Sequence, residues 1–230
     1  MTVAATDFLS ERALRLLEHP TDDIELRAEY ERMGVVQVDG FADPGRVVDF
    51  EKQLYPRLSP LCTPSIFRHK IVDQKNGTGY LTLGQRFSRV DPGSHDPGSK
   101  ERALYEKEFL ETGLTAFGEE IGELVVPFVE HIVGAKVTYQ RIYCFIYEEG
   151  DYIGPHNDSQ IGWRVNVQFP IPYCAVTGFR VSKDGEWKLY YDMPGSLRIL
   201  GPDVWHEVLP VLRLTEEAKP HRMLLSLRFR

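Results

Sequence analysis

The chain has 230 residues, with 27 Lys+Arg against 34 Asp+Glu for a formal net charge of −7, and 42% hydrophobic residues. That composition is too apolar for disorder throughout, and its acidic balance argues against nucleic acid or an anionic membrane surface as partner. Cys62, Cys144 and Cys174 are odd in number and make no CxxC pair, which excludes a disulfide framework and a thiolate zinc site as readings of the sequence.

Residues Asp7 to Glu18 carry apolar positions at helical spacing and predict one amphipathic helix ending before His19-Pro20. The segment lacks the apolar centre of a signal peptide, and no stretch reaches the ~20 apolar residues that span a bilayer, so a cytoplasmic protein is expected. A second helix is predicted over Thr21 to Met33 with Gly34 as cap, then a strand Val35 to Val38, then a helix from Asp43-Pro44 to about Leu58 ended by Pro56 and Pro60. From Cys62 to Ser99 glycines and prolines break the chain, and only Tyr80 to Leu83 reads as a strand, so this stretch is expected to be a lid or binding loop. Two helices split near Gly113, with a possible kink at Pro127, fill Lys100 to Val133.

After Gly134 the pattern becomes β. Strand runs occur at Val137 to Glu148, Trp163 to Ile171, Gly178 to Val181, Trp187 to Tyr191, Ser196 to Leu200, Glu207 to Leu212 and Arg222 to Phe229. An Asp184-Gly185 turn joins two of them as a hairpin. Helices followed by seven or eight short antiparallel strands predict one domain on a sandwich or barrel-like core. Residues 1–133 would be helical support and lid, and residues 134–230 the β core.

Two histidines and an aspartate carry the chemistry. His156 and Asp158 form an His-x-Asp pair just beyond a strand, and on extended backbone residues i and i+2 face the same way. His206 stands at the start of a later strand. Two histidines and one carboxylate on one face of a metal make the facial triad of non-haem Fe(II) oxygenases. The pair alone is a weak signal, since a turn histidine beside a capping aspartate would look the same.

The order of motifs around it is more specific. Tyr147-Glu148-Glu149-Gly150-Asp151-Tyr152 precedes His156-Asn157-Asp158, and Pro194-Gly195-Ser196-Leu197, His206-Glu207-Val208-Leu209-Pro210-Val211 and Arg222 follow in turn. Over about Tyr139 to Phe229 the chain resembles the Fe(II)/2-oxoglutarate-dependent oxygenases. More weakly, Val35 to Phe41 resembles that family's N-terminal strand. The resemblance implies a mainly β fold with flanking helices, a double-stranded β-helix (jelly-roll, cupin-like) core with the N-terminal helices packed on one sheet. It implies Fe(II) held by His156, Asp158 and His206, with 2-oxoglutarate and O2 as cosubstrates. Arg222 would bind the distal carboxylate of 2-oxoglutarate, because a guanidinium fork donates two parallel hydrogen bonds. Arg228, six positions on and on the same face, is a second candidate, and Tyr147 could add a hydroxyl. A common Arg-x-Ser version of the motif is absent, since position 224 is Leu and the serine is Ser226. The presence of Asp158 favours oxygenation over halogenation, the halogenating members having Gly or Ala there.

The implied reaction hydroxylates an unactivated C–H bond of a small molecule while 2-oxoglutarate goes to succinate and CO2. Arg68, Tyr80, Gln85, Arg86 and Arg89, with Trp163 and Arg164, are candidate substrate contacts, and their arginines would suit an amino acid or derivative. Arg141, Asn166 and Gln168 either line the barrel or face solvent. His19, His69, His95, His131 and His221 read as ordinary turn, loop, helix-end or strand residues. A prolyl-hydroxylase-like protein or peptide hydroxylase, and a non-catalytic cupin-like metal sensor, are the alternatives.

Overall fold

The computed structural model describes residues 4–67, 70–71, 81–82, 85–90, 99–159, 162–216 and 218–230. Among these, the chain runs α1 (Ala5–Phe8), α2 (Glu11–Glu18), α3 (Ile24–Met33), β1 (Val35–Val38), α4 (Pro44–Leu58), β2 (Cys62–Phe67), β3 (Lys70–Ile71), β4 (Leu81–Thr82), β5 (Gln85–Val90), α5 (Lys100–Glu111) and α6 (Leu114–Val133). The strands β6 (Tyr139–Glu148), β7 (Tyr152–His156), β8 (Val165–Tyr173), β9 (Ala175–Val176), β10 (Gly178–Lys183), β11 (Glu186–Tyr191), β12 (Leu197–Leu200), β13 (Trp205–Val208), β14 (Leu212–Arg213) and β15 (His221–Phe229) complete it.

Three expectations change. The helix predicted over Asp7 to Glu18 is two helices, because Leu9 leaves the helical path to bridge Ala42. Ser10 then caps the second piece, its Oγ accepting from Ala13 N at 3.1 Å and donating to Gly40 O at 2.6 Å. The described residues of the Cys62–Ser99 stretch also include strands that its glycines and prolines conceal. β2 and β5 pair along their whole length, Cys62 opposite Val90 and Phe67 opposite Gln85, although Pro64 stands in β2. Pro is tolerated there because β2 is an edge strand. Pro56 lies inside α4 instead of ending it.

Eleven strands form one antiparallel sheet in the order β1-β12-β8-β15-β6-β5-β7-β13-β10-β11, with β2 against β5. β5 is the corner piece, pairing β6 through Ser88 and Arg89 and β7 through Gln85 and Arg86. It folds the sheet into two walls, β1-β12-β8-β15-β6 and β7-β13-β10-β11, whose inner apolar residues meet in one cluster holding Val35, Tyr147, Leu200 and Leu224 beside Phe179, Val181, Tyr190 and Val208. The predicted Asp184-Gly185 turn joins β10 to β11, with φ of 52° and 84°.

The period of two along β15 sorts its side chains. Met223, Leu225, Leu227 and Phe229 point outward into the larger core with Phe8, Phe41, Phe50, Phe117 and Phe128 from the helical side. Arg222, Leu224, Ser226 and Arg228 point into the barrel. His221, on the outward side, has Nε2 2.6 Å from Glu51 Oε1 of α4 and its ring stacked on Tyr55 at 3.8 Å. It is a structural latch between helix and sheet.

Candidate functional site

Strand pairing brings the predicted ligands together. His206 of β13 stands directly opposite His156 of β7, and Asp158 follows two residues after the end of β7's pairing. The Asp158 N–H donates to Pro202 O at 3.0 Å, which ties that turn to the loop before β13. His156 Nε2 lies 3.9 Å from Asp158 Oδ1, and His206 Nε2 lies 3.8 Å from Asp158 Oδ2. The three ligand atoms lie within 4.8 Å of one another, the one such group among the described residues.

Both imidazoles are oriented alike. His156 Nδ1 is 2.8 Å from Gly154 O, and His206 Nδ1 is 2.8 Å from Val204 O, each a backbone carbonyl two residues back. A carbonyl only accepts, so each Nδ1 donates, and in the neutral imidazole this tautomer leaves the Nε2 lone pair on the side of the shared point. Burial, helped by the neighbouring His156, lowers the His206 pKa to about 3, which keeps it neutral. Phe179 stacks on the His206 ring at 5.0 Å. Pre-oriented ring nitrogens and one carboxylate fit a divalent transition metal with positions left open.

A second polar cluster lies inside the first wall. Arg222 is fully buried, its Nε bonded to Asp192 Oδ2 and its guanidinium 4.8 Å from the centroid of Tyr147, which faces it across the β15–β6 pair. Among the described residues its Nη1 and Nη2 are buried without a well-formed hydrogen bond, Tyr147 being the polar group beside them. Burial raises the Tyr147 pKa to about 12, so its hydroxyl keeps its proton. Arg228 sits nearer the triad. Its Nη1 is 3.8 Å from Asp158 Oδ2 and lacks a hydrogen-bond partner, and its guanidinium covers Trp163 at 4.6 Å.

The remaining candidates divide. Asn166 and Gln168 are buried inside the barrel, not solvent-facing. Ser226 Oγ donates to Asn166 Oδ1 at 2.8 Å, and Gln168 Oε1 accepts from Arg198 Nη1 at 3.3 Å. Arg141 is exposed over the Tyr143 ring. Arg86 is committed to the Asp151 carboxylate and to Glu149 O at 2.7 Å, so it braces the β6–β7 turn. Arg164 is exposed and donates to Lys136 O. Trp163 is buried beneath Arg228 and Arg89 is exposed. Arg68, Tyr80, His69, His95 and the side chain of Gln85 lie outside the described residues.

Two buried residues at the site had not been singled out from the sequence. Asp192 and Arg198 complete the cluster around Arg222. The available signal was Arg198 itself, a charge inside the apolar run Leu197-Arg198-Ile199-Leu200.

No family model matches the sequence, and no curated protein matches it. Solved structures do match the fold. An oxidoreductase of the 2OG-Fe(II) oxygenase family from Burkholderia pseudomallei is 15% identical over 89% of each chain, with a TM-score of 0.54. The non-haem alpha-ketoglutarate-dependent epimerase SnoN of nogalamycin biosynthesis is 13% identical over 94% of this chain and 83% of its own, at 0.56. A Trichoplax adhaerens prolyl hydroxylase, in complex with a hypoxia inducible factor peptide fragment, is 12% identical over 96% and 94%, at 0.55. These likenesses show the fold: the core of the present protein is a double-stranded β-helix like theirs, with a His-Asp-His group in its barrel.

Proposed function

We propose that the protein is a 2-oxoglutarate-dependent non-haem Fe(II) dioxygenase that hydroxylates a small molecule, with the whole chain as one domain working in the cytoplasm. The observation that supports this most is the coexistence, in one barrel, of a metal-ready triad and a buried arginine whose two terminal nitrogens have no well-formed hydrogen bond among the described residues. A cupin-like metal sensor would not need the second feature.

His156, Asp158 and His206 would hold Fe(II). With O2 and 2-oxoglutarate it supplies the oxidation of a substrate C–H, and R–H + O2 + 2-oxoglutarate becomes R–OH + succinate + CO2. The protein's own part is positioning. The backbone carbonyls of Gly154 and Val204 keep both Nε2 lone pairs directed at the metal. The free Nη1/Nη2 edge of Arg222 would take the distal carboxylate of 2-oxoglutarate as a bidentate pair, and the protonated Tyr147 hydroxyl would donate to the same group. Arg228, with Nη1 3.8 Å from Asp158 Oδ2, would be a second cation for the cosubstrate.

The recessed triad, with Asp158 and His206 buried and His156 nearly so, suits a small substrate. The peptide-bound prolyl hydroxylase among the structural neighbours keeps a peptide substrate as the second reading. Incubating the purified protein with Fe(II), 2-oxoglutarate and O2 should give slow succinate formation even without substrate, and His206→Ala should abolish it. Screening amino acids, their derivatives and proline-containing peptides for stimulation then separates the two substrate classes. Absence of 2-oxoglutarate turnover in every case would sink the assignment.

A further inference from the structure

The cluster around Arg222 has more charge than a single anchoring arginine requires. Asp192, Arg198 and Arg222 all have fully buried side chains, so two guanidiniums share one carboxylate. Asp192 divides its oxygens between them: Oδ2 accepts from Arg222 Nε, and Oδ1 accepts from Arg198 Nη2 at 2.8 Å. Arg198 is held further by Gln37 Oε1 at 2.8 Å and by Gln168, and its guanidinium stacks 4.3 Å from the centroid of Phe179. Phe179 in turn stacks on His206, so the cluster touches the metal side of the barrel through one ring.

Counting donors sharpens the point. Arg198 Nε joins Arg222 Nη1 and Nη2 as buried nitrogens without a well-formed hydrogen bond among the described residues. A buried cation left unpaired is costly, and evolved interiors normally satisfy such groups. One full positive charge and three donors are left over, all beside the barrel interior.

We infer that Asp192 is the positioning residue of the cosubstrate site, locking Arg222 by its Nε so that the Nη1/Nη2 edge faces the barrel, and that Arg198 supplies the second cation that leaves the cluster one carboxylate short. This rests on the reading that Arg222 receives the distal carboxylate of 2-oxoglutarate. Without Asp192 the two guanidiniums would repel, and Arg222 would lose the bond that fixes the plane of its fork. Without Arg198, Asp192 would neutralise Arg222 and the excess charge would vanish.

The test is equilibrium binding to the full chain loaded with redox-inert Mn(II), using 2-oxoglutarate and 2-oxobutyrate, which keeps the keto acid but lacks the distal carboxylate. The wild-type protein should prefer 2-oxoglutarate by about 100-fold or more, since a buried polar site rejects an analogue that leaves it unpaired. In Asp192→Asn the affinity for 2-oxoglutarate should fall about 10–100-fold, as for other outer partners of a binding group, while 2-oxobutyrate changes by no more than about twofold. Arg198→Met should shift the same ratio in the same direction, and it decides the matter if Asp192→Asn does not fold. Loss of stability alone would not move the ratio of the two affinities. If both variants keep the wild-type ratio, or Asp192→Asn binds 2-oxoglutarate more tightly, the inference is wrong while the role of Arg222 stands. If the wild type itself fails to distinguish the two acids, the reading beneath the inference falls.

Discussion

Both faces of β15 are largely buried but differ in chemistry: apart from His221 the outward one is apolar, whereas the inward one sets Arg222, Ser226 and the partly buried Arg228 around Leu224. Outward, Met223, Leu225, Leu227 and Phe229 lock into the helices, and each is at or near zero exposure. Inward, Arg222 and Ser226 are just as inaccessible but are polar, and Arg222 keeps two donors without partners. The outward face explains why the protein folds. The inward face bears on the proposed function, because donors without partners among the described residues are available to a ligand carboxylate.

Substitutions on the two faces should therefore fail in different ways. Leu225→Ala, cutting into the outward core, should cost about 2–5 kcal/mol in urea denaturation. The 2-oxoglutarate affinity of the molecules that remain folded should be unchanged. Arg222→Met should do the reverse, weakening 2-oxoglutarate by at least about tenfold with little change in the urea midpoint, since Asp192 keeps its 2.8 Å bond to Arg198 and no buried charge is left unpaired. A large stability loss in Arg222→Met with intact cosubstrate binding would erase the distinction between the faces. Ser226→Ala leaves Asn166 Oδ1 without its donor and should cost about 1–3 kcal/mol. Ser10→Ala, which removes the cap of α2 far from either face, should cost about 1 kcal/mol and leave binding untouched.

Acid titration sharpens the inward face further. Burial by itself would raise the Asp192 carboxyl, but Arg222 and Arg198 overcome it and hold it below its ordinary value. The unfolded chain then takes up that proton first as pH falls. The stability Asp192 contributes is accordingly full above the unfolded carboxylate value of about 3.9 and is lost below it. A stability–pH profile of Asp192→Asn should lack that acid-side loss.

Much of this was legible in the sequence, for identifiable reasons. The β core announced itself by alternation and by the Asp184-Gly185 turn, whereas His-x-Asp was a weak signal by itself and the triad was legible only through the order of motifs that resembles the 2-oxoglutarate oxygenases. The break at Leu9–Ser10 was not legible, because a serine at helical spacing looks the same whether it caps a helix or lies within one, and the bridge to Ala42 is a long-range event. β2 and β5 were hidden by the surrounding glycines and by Pro64, which only an edge position tolerates. Asn166 and Gln168 alternate with Val165 and Val167 as solvent-facing residues would, since a polar barrel interior and a wet surface leave the same pattern. Asp192 was the least visible, lying in a loop whose position beside Arg222 depends on the whole barrel closing.

The central claim, one barrel holding both iron and 2-oxoglutarate, is tested most directly by anaerobic addition of Fe(II) and 2-oxoglutarate with visible absorption as the readout. The wild type should show the metal-to-ligand charge-transfer band of a chelated keto acid, His156→Ala should not, and Arg222→Ala should need far more 2-oxoglutarate to develop it. A wild-type protein without the band at saturating cosubstrate would contradict the account.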